Sequence, residues 1–259
     1  MEKNVQNQLV VDQLRKAGCV YAEEEAELLI AAASSSEELV AMVNRRVTGE
    51  PLEYVVGWAE FCGLRMTVEP GVFVPRRRSE FLVRLAASKV SKGDVVVDLC
   101  CGSGAIGAAI ASVVPGINLY AVDIDPAAVR CAKLNVSGIG GTAYEGDLFA
   151  PLPPDLIGRV NLIAVNAPYV PTEAIATMPA EARLYEALAA LDGGADGLDI
   201  QRRISADAGR WLAPGGCLLI ETSARQAERS AQLFDHNGLV AQVARDEEYD
   251  ATVVTALKL

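Results

Sequence analysis

One histidine, His236, and six cysteines with no C-x-x-C pair are a poor ligand set for a metal among 259 residues, and no metal site is expected. Basic residues are outnumbered, 23 to 34, for a formal charge of -11. That balance argues against unaided binding to nucleic acid or to an anionic membrane, and no basic, aromatic-rich recognition domain offsets it. No apolar stretch approaches the length of a membrane span. The opening MEKNVQNQLVVDQLRK lacks the apolar core and small-residue cleavage site of a signal peptide. A cytoplasmic protein with reduced thiols is expected. There is no internal repeat and no low-complexity tract.

Hydrophobic residues make up 51% of the chain, enough for a sizeable core in one large or two unequal domains. Residues 5 to 47 place apolar groups at helical spacing (Val10 and Leu14, Leu28 and Leu29, Leu39, Val40 and Val43), predicting two or three short amphipathic helices. From Gly57 to Val74 aromatic and β-branched residues surround Gly63, and Pro70-Gly71 breaks the run, which predicts a hairpin. Beyond it the chain alternates as a doubly wound α/β sheet does. Strands are predicted at 95–100, 119–124, near Ala143, up to Asn166 and at 217–223. Helices are predicted from Ala105, over Pro126 to Val136, over Leu198 to Leu212 and over Ala224 to Asp235. The last two apolar runs are too close for a crossover helix, so they should pair antiparallel and finish a mostly parallel sheet.

The loop after the first of these strands, DLCCGSGAIG, spaces Gly102, Gly104 and Gly107 as G-x-G-x-x-G. That spacing lets a ligand approach backbone N–H groups. The next strand ends in Asp123, whose carboxylate can accept two hydrogen bonds from a ribose. A nicotinamide enzyme would need a proton donor or acceptor near the hydride. S-adenosylmethionine instead needs room for a methionine tail, a carboxylate for the ribose and a contact for the adenine. Asp98, Gly102, Gly104, Asp123 and the pair Asp147-Leu148 supply those residue types in that order, which favours S-adenosylmethionine over a nicotinamide.

The strand ending at Val165 opens onto Asn166-Ala167-Pro168-Tyr169. A sulfonium methyl is already electrophilic, so the difficulty lies in the nucleophile and its alignment. The Asn166 side-chain oxygen and the Ala167 carbonyl can each accept an N–H from a planar, conjugated nitrogen. Pro168 stiffens the loop and the Tyr169 ring can stack on the planar group.

These segments, with GEPLEYVVGWAEFCGL, FVPRRRSE, AVDIDPAAV, GDLF, ALDGGADGLD and APGGCLLIE, resemble the release-factor glutamine methyltransferases of the HemK/PrmC family from about Gly49 to the C-terminus. The resemblance implies a class I, Rossmann-like methyltransferase with a seven-stranded sheet and an antiparallel last strand. It implies a substrate-binding helical domain at 1–56, a hairpin linker at 57–74 and a catalytic domain at 75–259. It further implies methyl transfer from S-adenosyl-L-methionine, leaving S-adenosyl-L-homocysteine, to a glutamine amide in the Gly-Gly-Gln loop of a peptide chain release factor.

By the resemblance, Asn166 and the Ala167 carbonyl hold that amide, with Pro168 and Tyr169 completing the catalytic loop. Phe73, Pro75 and Arg76 wall the acceptor pocket. The glycine loop with Gly102 and Gly104 lies against the methionine part, Asp123 holds the ribose, Asp147 and Leu148 lie near the adenine, and Asp98, Cys100, Ile124 and Asn166 complete the cofactor-binding set.

The chain departs from the family's pattern at several points. Ala167 stands where the family has the first proline of Asn-Pro-Pro-Tyr, which should loosen the loop. PR-x-x-T-E reads PRRRSE, adding Arg77 and Arg78. The usual Glu-Pro is Glu186-Ala187, Thr222-Ser223 replaces the glycine after Glu221, and the helical cap is short. These changes keep open a small-metabolite or peptide natural-product acceptor, an exocyclic amine of nucleic acid, and a cofactor-binding protein without turnover.

Other features read as structural. Arg76-Arg77-Arg78 fits a solvated loop or carboxylate clamp as well as a polyanion site, and Glu23-Glu24-Glu25 fits a solvated helix face. Cys100 and Cys101 should pack under the glycine loop, Trp58 and Trp211 in core or interface, and His236 at a helix end.

Overall fold

The computed structural model describes residues 2–259. Three helices, α1 (Glu2–Lys16), α2 (Ala22–Ala32) and α3 (Ser36–Val47), with the short α4 (Leu52–Val56), pack around Leu14, Ala26, Leu29, Val43 and Val55. α3 starts at a side-chain cap: Ser35 Oγ accepts the Glu38 N–H at 3.1 Å while Glu38 Oε2 accepts the Ser34 N–H at 2.7 Å. Here one expectation fails. Glu25 is not part of a solvated face, because its position on α2 turns inward. It is buried and paired with Arg46 of α3 at 2.6 Å. Arg46 also reaches Glu181 at 3.4 Å, tying the helical unit to the rest of the chain.

The hairpin is β1 (Trp58–Phe61) against β2 (Leu64–Thr67), with Cys62-Gly63 as its turn. Both turn residues have positive φ, the conformation that matches the twist of a two-residue hairpin loop.

The main sheet comprises β3 (Val95–Leu99), β4 (Asn118–Asp123), β5 (Thr142–Glu145), β6 (Val160–Val165), β7 (Leu212–Thr222), β8 (Val240–Asp246) and β9 (Ala251–Leu257). Their order is β5-β4-β3-β6-β7-β9-β8, parallel except that β9 runs against both neighbours. Helices α5 (Glu80–Ala87), α6 (Ala105–Val113), α7 (Pro126–Ser137), α9 (Asp199–Trp211) and α10 (Ala227–His236) accompany it, with the single-turn α8 (Ala180–Tyr185) near the carboxyl edge. Both faces of the sheet carry core: Val96, Ala121, Leu162 and Leu219 on one, Val97, Val122, Ile163 and Leu218 on the other. That explains why Val95 to Val97 of β3 and Leu162 to Val165 of β6 are apolar at consecutive positions instead of alternating with polar residues. Asp125 caps α7 by accepting the Ala127 N–H at 2.8 Å, with Pro126 at the first helical position.

β7 starts five residues before the predicted 217. Leu212 pairs with Val160 and Cys217 with Leu162, so Ala213 to Gly216 bulge out between them. α5 and α8 were not foreseen. α8 carries one buried residue and thus no stripe to read, and α5 follows directly on an arginine run. No helix among the described residues is long and apolar enough to cross a membrane.

The chain runs outward from β3 to β5 and then returns to β6 on the other side of β3. That reversal leaves a crevice at the carboxyl ends of the strands, where open α/β sheets bind ligands. Register sets what faces it. Leu99 pairs with Val122 and Val165, and Val165 with Ile220. The residues one step further along, Asp123, Cys100, Asn166 and Glu221, therefore emerge as a row across four strands, about 14 Å from end to end.

Candidate active site

Above this row lies a cavity of about 890 Å3. Its walls include Phe73, Pro75 and Arg76, then Cys100, Gly102, Asp123 and Ile124, then Asp147 and Leu148, and Asn166 to Tyr169. Two residues assigned to the cofactor lie off this wall. Asp98 is fully buried behind the glycine loop, where Oδ2 accepts the Gly107 N–H at 2.8 Å. Gly104 faces α7: a Cβ there would meet Ala132 at 3.1 Å, so this glycine serves helix packing. β3 carries Asp98 two residues before Cys100, too early to reach the edge, and the αL turn at Gly104 aims that glycine at α7 rather than at the crevice. Burial, opposed by the Gly107 bond, pushes the Asp98 carboxyl up to about 8.

Asp123 braces the loop as well as facing the cavity. Oδ2 accepts the Gly102 N–H at 2.8 Å and Oδ1 the Asp125 N–H at 2.9 Å, which leaves each oxygen one lone pair. Burial raises its pKa despite these bonds. Cys100 and Leu148, both on the cavity wall, hold positive φ of 56° and 49°. Such conformations cost a side-chain-bearing residue on the order of 1–2 kcal/mol and collect at ligand sites. Arg203, which no sequence signal marked, lines the same end and pairs with Asp147 at 2.5 Å.

The other end is organised around Glu221, whose side chain is 1% exposed. Ser79 Oγ donates to Glu221 Oε2 at 2.6 Å, Arg78 Nε donates to Oε1 at 3.0 Å, and the Tyr169 hydroxyl donates to Oε1 at 3.4 Å. Burial, reinforced by the Glu221 charge, pushes the Tyr169 phenol up to about 12. Asn166 Nδ2 lies 3.3 Å from Ser79 Oγ. A serine hydroxyl has one proton, and this one goes to Glu221, so Ser79 meets Asn166 only as an acceptor. The amide is thereby oriented with Nδ2 toward Ser79 and Oδ1 left for a donor.

Arg76 pairs with Glu186 and Arg78 with Glu221, so this pair acts as a carboxylate clamp. Arg77 lies over the Tyr249 ring, 5.8 Å from its centroid. The roles of Ser79, Glu221 and Glu186 in the site were not legible in the sequence because their partners lie 87 to 142 residues away.

The DGGADGLD segment backs the Asn166 loop. Gly193 N–H donates to Val170 O at 2.9 Å, Val170 N–H to Leu191 O at 3.0 Å, and Gln226 Nε2 to Tyr169 O at 2.9 Å. A Cβ on Gly193 would stand 2.8 Å from Pro168 O, and one on Gly197 2.2 Å from Tyr169 O. The freedom that Ala167 returns to the backbone is thus opposed by a clamp on the three residues after it, and Ala167 itself is 1% exposed.

The cavity suits a nucleoside-type sulfonium cofactor. Asp123 keeps lone pairs for a ribose, space beside Gly102 is open, and the buried Ser103 hydroxyl on the wall has no partner in the protein. Among the described residues no group of three or more His, Cys, Asp or Glu could hold a metal ion. Fold and site are those of an S-adenosylmethionine-dependent methyltransferase of the class I, Rossmann-like type.

Residues 63–196 match the family model described as Methyltransferase small domain. A release factor glutamine methyltransferase of Geobacter sulfurreducens is 40% identical over 207 residues, covering 78% of this chain and 72% of the relative. A 4-amino-L-phenylalanine/4-methylamino-L-phenylalanine methyltransferase of Streptomyces pristinaespiralis is 36% identical over 203 residues, covering 76% and 69%. A solved methyltransferase structure from Pyrococcus furiosus superposes with a TM-score of 0.57 at 14% identity, covering 74% and 89%, a likeness of fold alone. The chain belongs to the Methyltransferase small domain family and, within it, to the release factor glutamine methyltransferases.

Proposed function

We propose that the protein methylates the side-chain amide nitrogen of a glutamine in a peptide chain release factor. The observation that carries this reading is the orientation of Asn166 by Ser79 and Glu221, which presents Oδ1 to the cavity as a hydrogen-bond acceptor. Similarity to release factor glutamine methyltransferases over more than two thirds of their length supports it.

S-adenosylmethionine, when bound, supplies an electrophilic methyl group. The chain's own work is to hold and orient. Asp123 accepts from the ribose hydroxyls, with Cys100, Gly102 and Ile124 around them, Ser103 binds the polar end of the methionine, and Leu148 and the Asp147–Arg203 pair close the adenine end. Asn166 Oδ1 and the Ala167 carbonyl take the two N–H groups of the acceptor amide. Held so, the nitrogen presents its face for in-line attack, and its growing positive charge meets two carbonyl dipoles already in place; as it takes the methyl the methyl–sulfur bond would break, leaving S-adenosylhomocysteine, and the nitrogen would give up one of its two N–H protons to water. Phe73, Pro75 and Tyr169 flank the planar amide, and Pro168 limits the loop's freedom. Residues 1–56 form the unit that receives the protein substrate, anchored by Arg46 to Glu181 beside the cavity mouth, with 57–74 as linker and 75–259 as catalytic unit. Such a substrate places the reaction in the cytoplasm.

A second reading, the amine of an aromatic amino acid, is favoured by one observation: the Streptomyces pristinaespiralis relative named for that chemistry is nearly as similar as the first. The test is peptide mapping by mass spectrometry of a bacterial release factor incubated with the protein and S-adenosylmethionine, with Asn166→Ala as control. One methyl on the glutamine of the Gly-Gly-Gln loop, lost in the control, is the expected result. Methylation of 4-aminophenylalanine alone would move the acceptor to the second reading.

A further inference from the structure

Among the described residues, four side chains carry a buried polar atom without a hydrogen-bond partner: Asn7, Asp98, Ser103 and Glu186. Two of these line the cavity, Ser103 in its cofactor half and Glu186 beside the acceptor wall. Glu186 is the more demanding case. Its side chain is 1% exposed, and its two oxygens are treated unequally. Oε1 accepts from Arg76 Nη2 and from the Val74 N–H at 3.4 Å, while Oε2 has no donor at all.

The backbone holds this arrangement in place. Ala187 N–H donates to Gly71 O at 3.1 Å, and Gly71 and Glu186 form a β-bridge. Glu186 is therefore fastened to the wall that carries Phe73, Pro75 and Arg76. Burial raises its pKa in spite of Arg76. A buried acceptor without a donor is costly, and more so on a charged group, so its retention asks for a ligand that completes it.

We propose that Glu186 Oε2 accepts an N–H of the methyl acceptor, one distinct from those on the nitrogen being methylated. This rests on the reading of the site given above, in which Asn166 Oδ1 and the Ala167 carbonyl engage the reacting nitrogen. A second donor is then required, and it is either a peptide N–H next to a glutamine or the α-ammonium of a free amino acid. The Arg76–Glu186 pair is neutral as a whole, so it admits either a neutral or a cationic donor, whereas a carboxylate placed there would meet Oε2 as a like charge.

The test pairs a variant with an altered acceptor. In Glu186→Gln, Arg76 and the Val74 N–H are both donors and so hold the amide oxygen. That leaves the NH2 group where Oε2 stood and turns an acceptor into a donor. The acceptors are a cyclic Gly-Gly-Gln peptide with its analogue bearing an ester oxygen in place of the glutamine backbone N–H, and 4-aminophenylalanine with its analogue lacking the α-amino group. The wild-type protein is expected to prefer the N–H-bearing member of the pair it accepts by about 10-fold or more in kcat/KM. Glu186→Gln abolishes or reverses that preference, with S-adenosylmethionine affinity by calorimetry unchanged. Glu186→Asp, which withdraws the oxygen by one bond, loses the preference without reversing it and serves where the glutamine variant does not fold.

The pair that shows the effect identifies the donor as peptide N–H or ammonium. An equal N–H preference in wild type and variant, or none in the wild type, overturns the contact while methyl transfer to the parent acceptor upholds the reading of the site. Transfer to neither parent acceptor overturns that reading and the contact with it.

Discussion

Ser79 donates its hydroxyl proton to Glu221 at 2.6 Å, and this single commitment decides which way the Asn166 amide faces. Ser79→Ala removes both the donor to a buried carboxylate and the acceptor for Nδ2, so Asn166 is free to flip. Methyl transfer should fall about 10- to 100-fold in kcat/KM, with S-adenosylmethionine affinity unchanged, because Asp123, proposed to hold the ribose, stands at the other end of the row. Ser79→Thr, which keeps the hydroxyl, should retain most activity. Steady-state kinetics with calorimetry for the cofactor check both.

Gly197 lies where Tyr169 O occupies the space a Cβ would need, at φ +77°. Gly197→Ala should push the Asn166 loop off its backing, lowering stability by roughly 2–4 kcal/mol and abolishing transfer. Gly209→Ala is the control: a Cβ there finds no atom closer than 3.9 Å, and α9 should gain slightly from alanine. Thermal melts of the two variants beside the wild type decide it.

Asp98 makes the cofactor-free protein sensitive to pH in a definite direction. Its carboxyl is pushed up to about 8 from an ordinary 3.8. Between those values the folded state keeps a proton that the unfolded chain has lost, so stability falls as pH rises, by roughly 1.4 kcal/mol per unit at the steepest. Asp123 and Glu186, also raised by burial, add to the same trend. Asp196, held down to about 2 by Arg202, acts oppositely and only below pH 4. Asp98→Asn can keep the Gly107 bond and loses the titration. Urea melts from pH 5 to 8 should show a flatter profile for the variant; parallel profiles would contradict a raised Asp98.

Cys100 sits in the left-handed region at φ 56°. Cys100→Gly relieves on the order of 1–2 kcal/mol of strain and returns about 0.5–1 kcal/mol of chain entropy to the unfolded state. The variant should be as stable as the wild type or up to about 1.5 kcal/mol more so by denaturant titration. A clear loss would mean that the thiol's packing outweighs the strain.

The order of strands and helices was legible because local patterns carry it. Apolar runs bounded by glycine marked β3 and β6, and Asp125-Pro126 marked the start of α7. The loops that reach the crevice were legible too, since they follow those strands directly, and so Asp123 and Asn166 could be named from their places alone. Asp98 and Gly104 could not be sorted the same way: which side of a turn faces the crevice depends on the packing of α6 and α7 against the sheet.

The row from Asp123 to Glu221 is a product of strand register, and register is set by pairing between segments far apart in the chain, as Leu99 with Val165 and Val165 with Ile220. The proton of Ser79, the unpaired oxygen of Glu186 and the buried Glu25–Arg46 pair belong to that level as well. By itself the sequence determined the strands, the helices and the chemistry each loop could offer, because those depend on neighbours along the chain. Which oxygen accepts, which amide face is free and which carboxylate is left wanting a partner were decided only when distant segments met in the folded core.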